Sequence, residues 1–204
     1  MRRLTGIYVI VDAELTPSPL GLVDDVLSAG VRLIQYRAKR GADRALVREM
    51  HARVRRRDAL LVINDDVEAA LDADGLHVGQ EDLALLEPAA LRSRLAGRVL
   101  GVSCSTSGEA RAAAHIGADY LGVGPYNATA TKLDAGPAIG VAGVRAVVAA
   151  TEVPVAAIGG IELGDLENVA GAGARMAAVI SAVARGPDCA ANARALIARW
   201  EELT

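Results

Sequence analysis

Only two cysteines, Cys104 and Cys189, stand among the 204 residues. Two thiols build no disulfide framework, so a small secreted scaffold is excluded and a cytoplasmic protein is expected. No apolar run reaches the ~18 residues of a membrane span. The opening Met1-Arg2-Arg3-Leu4-Thr5-Gly6 passes almost directly into a strand-like run, which leaves no room for a signal peptide. A cationic footprint is missing too: 22 basic and 25 acidic residues leave a net charge of −3, which argues against nucleic acid or an anionic membrane as the partner. Phenylalanine is absent, and lysine nearly so: of the 22 basic residues only Lys39 and Lys132 are not arginine. Where charge alone suffices this chain uses arginine. The two lysines are expected to mark positions where a compact ammonium is needed and a planar guanidinium does not serve; the plainer reading is that two lysines survive by accident.

What remains is strongly apolar, at 52%, enough to bury a large core and to exclude disorder as the main state. Short β-like runs alternate with helix-like stretches. The strand candidates are Ile7–Val11, Arg32–Tyr36, Ala59–Ile63, Gly75–Val78, Val99–Val102, Tyr120–Val123, Val155–Ile158 and Ala177–Ile180. Between them, Asp43–Arg56 places Leu46, Val47, Met50 and Val54 near the 3.6-residue period with Arg44, Arg48, Arg53 and Arg55 interleaved. Thr106 to Ile116, Gly143 to Ala150 and Asp188 to Glu202 read as helices in the same way. Glycine turns at Gly30, Gly117 and Gly173 each close a helix and lead into an apolar run, supplying the positive φ of a helix C-terminus. Strict strand–helix alternation predicts a parallel sheet, and eight such units predict a (β/α)8 TIM barrel, one domain over residues 1–204. The alternative, an open doubly wound sheet, usually carries a glycine-rich loop after its first strand, and Asp12-Ala13-Glu14-Leu15-Thr16-Pro17 is not one.

In a parallel barrel the chemistry collects where the strands end. There stand Gln35, Arg37 and Lys39; Asn64 and Asp65; Gln80, Glu81 and Asp82; Ser103; Thr129, Thr131 and Lys132; Gly159 and Gly160; Ile180 and Ser181. Both lysines fall in this set. Two ammoniums, a guanidinium, paired carboxylates, hydroxyls and glycine turns suit phosphate chemistry, with Mg2+ held by Asp65 and Asp82 and anions received by free N–H groups. Plainer readings stand beside these. Asn64-Asp65 and Asp82 are also good helix caps, and Gly159-Gly160 is also an ordinary tight turn. His77, inside the fourth strand, reads as a core or supporting histidine; His51 and His115 read as solvent-facing. Cys104 has no base near it in sequence to activate its thiol, and Arg55-Arg56-Arg57 reads as a solvated helix end.

Taken together, Gln35-x-Arg37-x-Lys39, Ile63-Asn64-Asp65, His77-Val78-Gly79-Gln80-Glu81-Asp82, Gly101-Val102-Ser103, Gly124-Pro125 with Thr129-x-Thr131-Lys132, Ile158-Gly159-Gly160-Ile161 and Ile180-Ser181 resemble the thiamine-phosphate synthase family, in that family's order and across the whole barrel. The resemblance implies a Mg2+-dependent transferase of thiamine biosynthesis that joins hydroxymethylpyrimidine diphosphate to hydroxyethylthiazole phosphate. It implies metal ligands at Asp65 and Asp82. Arg37, Lys39, Asn64, Ser103 and Lys132 would hold the leaving diphosphate, with Lys132, Ser103 and Lys39 acting on the reaction itself. Gln35 would meet the pyrimidine, while Thr129, Thr131, Gly160, Ile180 and Ser181 would hold the thiazole phosphate. Ala38, Asp66, Asn127 and Ala128 depart from the family pattern, which often has an acid, an arginine, an aromatic residue and a proline there. The rivals are a thiazole tautomerase-like relative, which needs a proton-shuttling histidine near Ser103; a non-catalytic phosphate-binding barrel; and an isomerase of sugar phosphates. The partners expected are the two small molecules, with no nucleic acid and no membrane; a homo-oligomer is neither required nor excluded.

Overall fold

Runs of β-branched and aliphatic residues, buried on both faces, form the inner wall of the molecule, as expected of parallel strands covered by helices. The computed structural model describes residues 4–128 and 136–204. Its strands are β1 (Gly6–Asp12), β2 (Leu33–Arg37), β3 (Leu60–Asn64), β4 (Gly75–Val78), β5 (Val99–Cys104), β6 (Tyr120–Val123), β7 (Val155–Ile158) and β8 (Met176–Val179). They pair in parallel in chain order, and β8 returns to β1 to close the barrel. The (β/α)8 expectation holds. Three strand ranges agree to the residue; β5 runs two residues further, and the other four differ by one residue at each end.

The intervening helices are α1 (Pro19–Ala29), α2 (Arg44–Arg55), α3 (Val67–Ala70), α4 (Gln80–Ala84), α5 (Pro88–Leu95), α6 (Ser107–His115), α7 (Gly140–Val148), α8 (Leu166–Gly171), α9 (Ser181–Ala184) and α10 (Cys189–Leu203). In α2 the apolar stripe buries Val47, Met50 and Val54 while Asp43 caps the start, accepting from the N–H of Ala45 at 2.8 Å. Arg55, Arg56 and Arg57 are exposed beyond it, the solvated end expected. Gly30, at φ +109°, closes α1 in the left-handed conformation its position predicts. Trp200 and Leu196 anchor α10. Among the described residues no helix is long and apolar enough to cross a membrane.

The two-residue period of each strand sorts the side chains into two cores. Val9, Val11, Ile34, Leu61, Ile63, Leu76, Val102 and Leu121 point outward beneath the helices. Tyr8, Ile10, Leu33, Leu60, Val62, Tyr120, Ala156, Met176 and Ala178 fill the barrel. The same alternation assigns Asp12, Gln35, Arg37, Asn64, His77 and Ser103 to the inner face, so the strands themselves aim those groups at the axis. Cys104, one residue beyond Ser103, falls on the outer face, buried, and burial pushes its thiol up to about 12.

Candidate active site

At the ends of β1 and β2 the register sets Asp12 opposite Arg37. An Arg37 guanidinium nitrogen lies 2.5 Å from Asp12 Oδ2, and the Asp12 side chain is only 2% exposed. Asp12 Oδ1 also accepts the N–H of Glu14 at 2.9 Å. The carboxylate thus holds the arginine fork upright at the rim, a buried acid paired with a partly exposed base. Gln35, one inward position deeper, is buried and donates to Tyr8 Oη at 2.7 Å. Lys39 stands exposed on the loop after β2.

The capping alternative for the aspartates does not hold. Asp66, not Asn64 or Asp65, caps α3, accepting from the N–H of Ala69 at 2.9 Å. Its other carboxylate oxygen takes the N–H of Ala42 at 3.2 Å, which ties the β2 loop to α3 and gives this departure from the family pattern a structural task. Asp65 adopts φ +61°, a left-handed conformation uncommon for a residue with a side chain. That kink follows from its N–H donating to the carbonyl of His77 at 2.8 Å while the chain turns into α3. The side chain is thereby sent to the rim, where the amide of Asn64 donates to it and the Asp82 carboxyl meets it. Asp82 lies in the first turn of α4, whose cap is Gly79, with no side-chain hydrogen bond there. Loss of water around the carboxyl, then the neighbouring Asp82 carboxylate, raise Asp65 to about 6; the N–H of Gly79 and the charge of Arg37 pull the other way. Two carboxyl groups set this close repel unless a proton or a cation stands between them. Among the described residues no cluster of three or more His, Cys, Asp or Glu is arranged to hold a metal. A pair of carboxylates is nonetheless the oxygen donor set Mg2+ takes from a protein when phosphates and waters complete its shell.

Across the mouth, Ser103 Oγ lies 2.9 Å from His77 Nε2, and the Ser103 carbonyl accepts from the Gln80 amide at 2.5 Å. The Gly159-Gly160 turn follows β7 with φ of +104° and +62°. A Cβ on Gly159 would lie 2.8 Å from Pro125 Cα, and one on Gly160 3.0 Å from Asn127 Cβ, so both space and conformation demand glycine. Asn127 explains the second contact. Its side-chain N–H groups donate to the Gly160 carbonyl at 2.9 Å and to Asp165 at 3.1 Å, and its backbone N–H to the Gly159 carbonyl at 2.8 Å. Ile180 and Ser181 stand where the chain passes from β8 into α9, beside this turn because β7 and β8 are paired. Thr129, Thr131 and Lys132 lie outside the described residues. Of the remaining histidines, His115 is exposed as expected; His51 is half-buried with Nε2 3.2 Å from Asp74, which corrects its expected solvent-facing position.

The model of the thiamine monophosphate synthase family matches residues 7–183, from the second residue of β1 past the end of β8. This chain belongs to that family. Among curated proteins it is 47% identical over 200 residues to the thiamine biosynthesis bifunctional protein ThiM/ThiE of Symbiobacterium thermophilum; 94% of this chain matches 40% of that longer protein. It is 42% identical over 198 residues to the thiamine-phosphate synthase of Chloroflexus aurantiacus, covering 93% of this chain and 90% of the relative. Its structure is similar to that of a thiamine phosphate pyrophosphorylase from Pyrococcus furiosus, with a TM-score of 0.86 at 33% identity over 98% of this chain and 96% of the other. Within the thiamine monophosphate synthase frame, the sequence reading missed Asp12, Tyr8 and Tyr120. The inward parity of β1, which puts Tyr8, Ile10 and Asp12 on one face, is the signal that reveals the first two, and Tyr120 opens the inward face of β6.

Proposed function

We propose that this chain joins hydroxymethylpyrimidine diphosphate to hydroxyethylthiazole phosphate, giving thiamine phosphate and pyrophosphate, with Mg2+ at Asp65 and Asp82. The observation that carries this reading is the meeting of the Asp65 and Asp82 carboxyls at the rim, within reach of the Arg37 charge, with Asp65 released from any capping duty. Bound there, Mg2+ would neutralise oxygens of the diphosphate. The protein's own groups do the rest. Arg37, fixed by Asp12, together with Lys39, Asn64, Ser103 and Lys132, receives the charge that grows as the diphosphate departs, stabilisation that is larger in the transition state than in the ground state. The carbon–oxygen bond of the pyrimidine methylene breaks, the electron pair leaves with the diphosphate, and the ring amine delocalises the positive charge left behind. The thiazole nitrogen then forms the new carbon–nitrogen bond. It has no proton to lose, so no general base is required. Holding the second substrate by its phosphate, at Thr129, Thr131, Gly160, Ile180 and Ser181, supplies proximity and orientation.

The test is to incubate the purified protein with both heterocycles and Mg2+ and to measure thiamine phosphate and pyrophosphate in equal amounts. Pyrimidine diphosphate left unconsumed, with both ligands bound by calorimetry, would make the protein a binder instead.

A further inference from the structure

A line of hydrogen bonds crosses the barrel interior beneath the site. The Gln35 amide donates to Tyr8 Oη at 2.7 Å, and Tyr8 Oη lies 2.7 Å from Tyr120 Oη. Tyr120 Oη lies 2.9 Å from His77 Nδ1, and His77 Nε2 lies 2.9 Å from Ser103 Oγ. Gln35, Tyr8, Tyr120 and His77 are all buried, in a part of the molecule otherwise packed with aliphatic side chains. Room for them is made by two glycines. A Cβ on Gly101 would lie 2.1 Å from Tyr120 Cζ, and one on Gly122 2.9 Å from the His77 ring. A polar chain this deep is costly unless every member is satisfied.

We propose that this chain of bonds runs in one direction, from Gln35 to Ser103, and that it orients the Ser103 hydroxyl as a hydrogen-bond donor to the leaving diphosphate, with Tyr8, Tyr120 and His77 as positioning residues. The inference rests on the placement of Ser103 at the diphosphate described above. Its direction follows from counting protons. Each phenol has one, and burial drives both phenols well above their ordinary pKa, so they stay neutral. Tyr8 accepts from Gln35; if it also accepted from Tyr120, its own O–H would be buried without an acceptor, which folded proteins avoid. Tyr8 therefore donates to Tyr120, and Tyr120 to His77 Nδ1. A proton on Nδ1 would leave the Tyr120 O–H stranded in the same way. The imidazole thus carries its hydrogen on Nε2 and gives it to Ser103 Oγ. Ser103 accepts from below, and its O–H is left for an anion above.

The far end obeys the same rule. With its N–H turned inward to Tyr8, Gln35 presents its carbonyl oxygen to the site, where the exocyclic amine of the pyrimidine is a donor. The amine holds the amide in the orientation that starts the chain. A flipped amide would accept from Tyr8, reverse every bond and turn the Ser103 proton toward His77, away from the diphosphate.

The tautomer of His77 decides this directly. Nitrogen NMR of the labelled wild-type protein, with no ligand and with the pyrimidine diphosphate and Mg2+, should find the hydrogen on Nε2. A hydrogen on Nδ1 would overturn the proposal, whatever the enzyme turns over. Kinetics give a second reading. The amide of His77→Gln reaches the Nε2 position and should keep the rate within a few-fold. The amide of His77→Asn reaches only the Nδ1 position and should lower kcat roughly tenfold, less than the ~10²-fold loss of a donor itself. KM for the thiazole phosphate should stay as it was. Adding Ser103→Ala to His77→Asn should cost nothing beyond Ser103→Ala alone, because the histidine acts through the serine. Losses that multiply in the double variant would contradict the coupling. A wild type that makes no thiamine phosphate would defeat the proposed function, and the tautomer would still decide the relay.

Discussion

Asp65 carries more opposed forces than any other side chain at the rim: a left-handed backbone, a second carboxylate against its own, and an arginine nearby. Its carboxyl is raised from 3.8 to about 6 in the folded, metal-free protein. The folded state therefore binds this proton more tightly than the unfolded state does. Stability contributed by the site is present below the ordinary carboxylate range and is lost as pH rises through about 6. Asp65→Asn should accordingly raise the melting temperature of the metal-free protein at pH 7.5, by about 1–2 °C, with the gain vanishing below pH 4. Melting curves in a chelator check it; a variant less stable than wild type at pH 7.5 would mean that the carboxylate is structural. The same variant should lose the Mg2+-induced rise in melting temperature, and Asp65→Asn with Asp82→Asn should be little worse than the poorer single variant. At Lys132, alanine should lower kcat by on the order of 10²-fold, and arginine should also impair it, because a planar fork does not occupy the place of an ammonium. Steady-state rates decide; an unchanged rate in Lys132→Ala returns this lysine to the solvent. These groups were legible in sequence because charges placed just after apolar runs have few other reasons to be there. Asp12 was not, since it closes the strand itself and its partner Arg37 is 25 positions away.

Strand alternation is what converts the sequence into a site. One inward face per strand delivers Asp12, Gln35, Arg37, Asn64, His77 and Ser103 without any loop having to place them, which is why the strand ranges sufficed to find Gln35, Arg37, Asn64 and Ser103. They did not suffice for the interior, because tyrosine and histidine inside apolar runs look like ordinary core until the barrel closes and β1, β4 and β6 face one another. Between β1 and β2, Asp12→Ala would leave the partly exposed Arg37 without its partner, a change that costs at most about 3–5 kcal/mol. A fall of several degrees in melting temperature, with a weaker pyrimidine diphosphate KM, is expected; an unaltered melt would show that the pairing does not hold Arg37 as described. The glycine turn after β7 makes a separate prediction. Gly160→Val fills the space next to Asn127 and opposes the positive φ. It should raise KM for the thiazole phosphate far more than for the pyrimidine diphosphate; equal effects on both would leave the turn a structural one. Asn127, a departure from the family pattern, proves to be the clamp on that turn.

The closed barrel gathers two sets of groups at the strand ends: carboxylates and cations above β2 to β5, proposed to take the diphosphate, and glycine and helix-start backbone above β7 and β8, proposed to take the thiazole phosphate. An arrangement with a charged leaving group on one side and a phosphate handle on the other fits a displacement between two phosphorylated heterocycles better than an isomerisation, which needs an acid and a base over a single substrate. His77 is the histidine nearest Ser103, as a tautomerase-like relative would want, yet both of its ring nitrogens are engaged within the barrel. The most direct measurement is the initial rate of thiamine phosphate formation from the two heterocyclic substrates as Mg2+ is titrated, for wild type, Asp65→Asn and Asp82→Asn. Product should form in wild type, stop in the presence of a chelator, and require higher Mg2+ for half-maximal rate in each variant. Wild-type Mg2+ dependence in both variants, or turnover undiminished by the chelator, would contradict it.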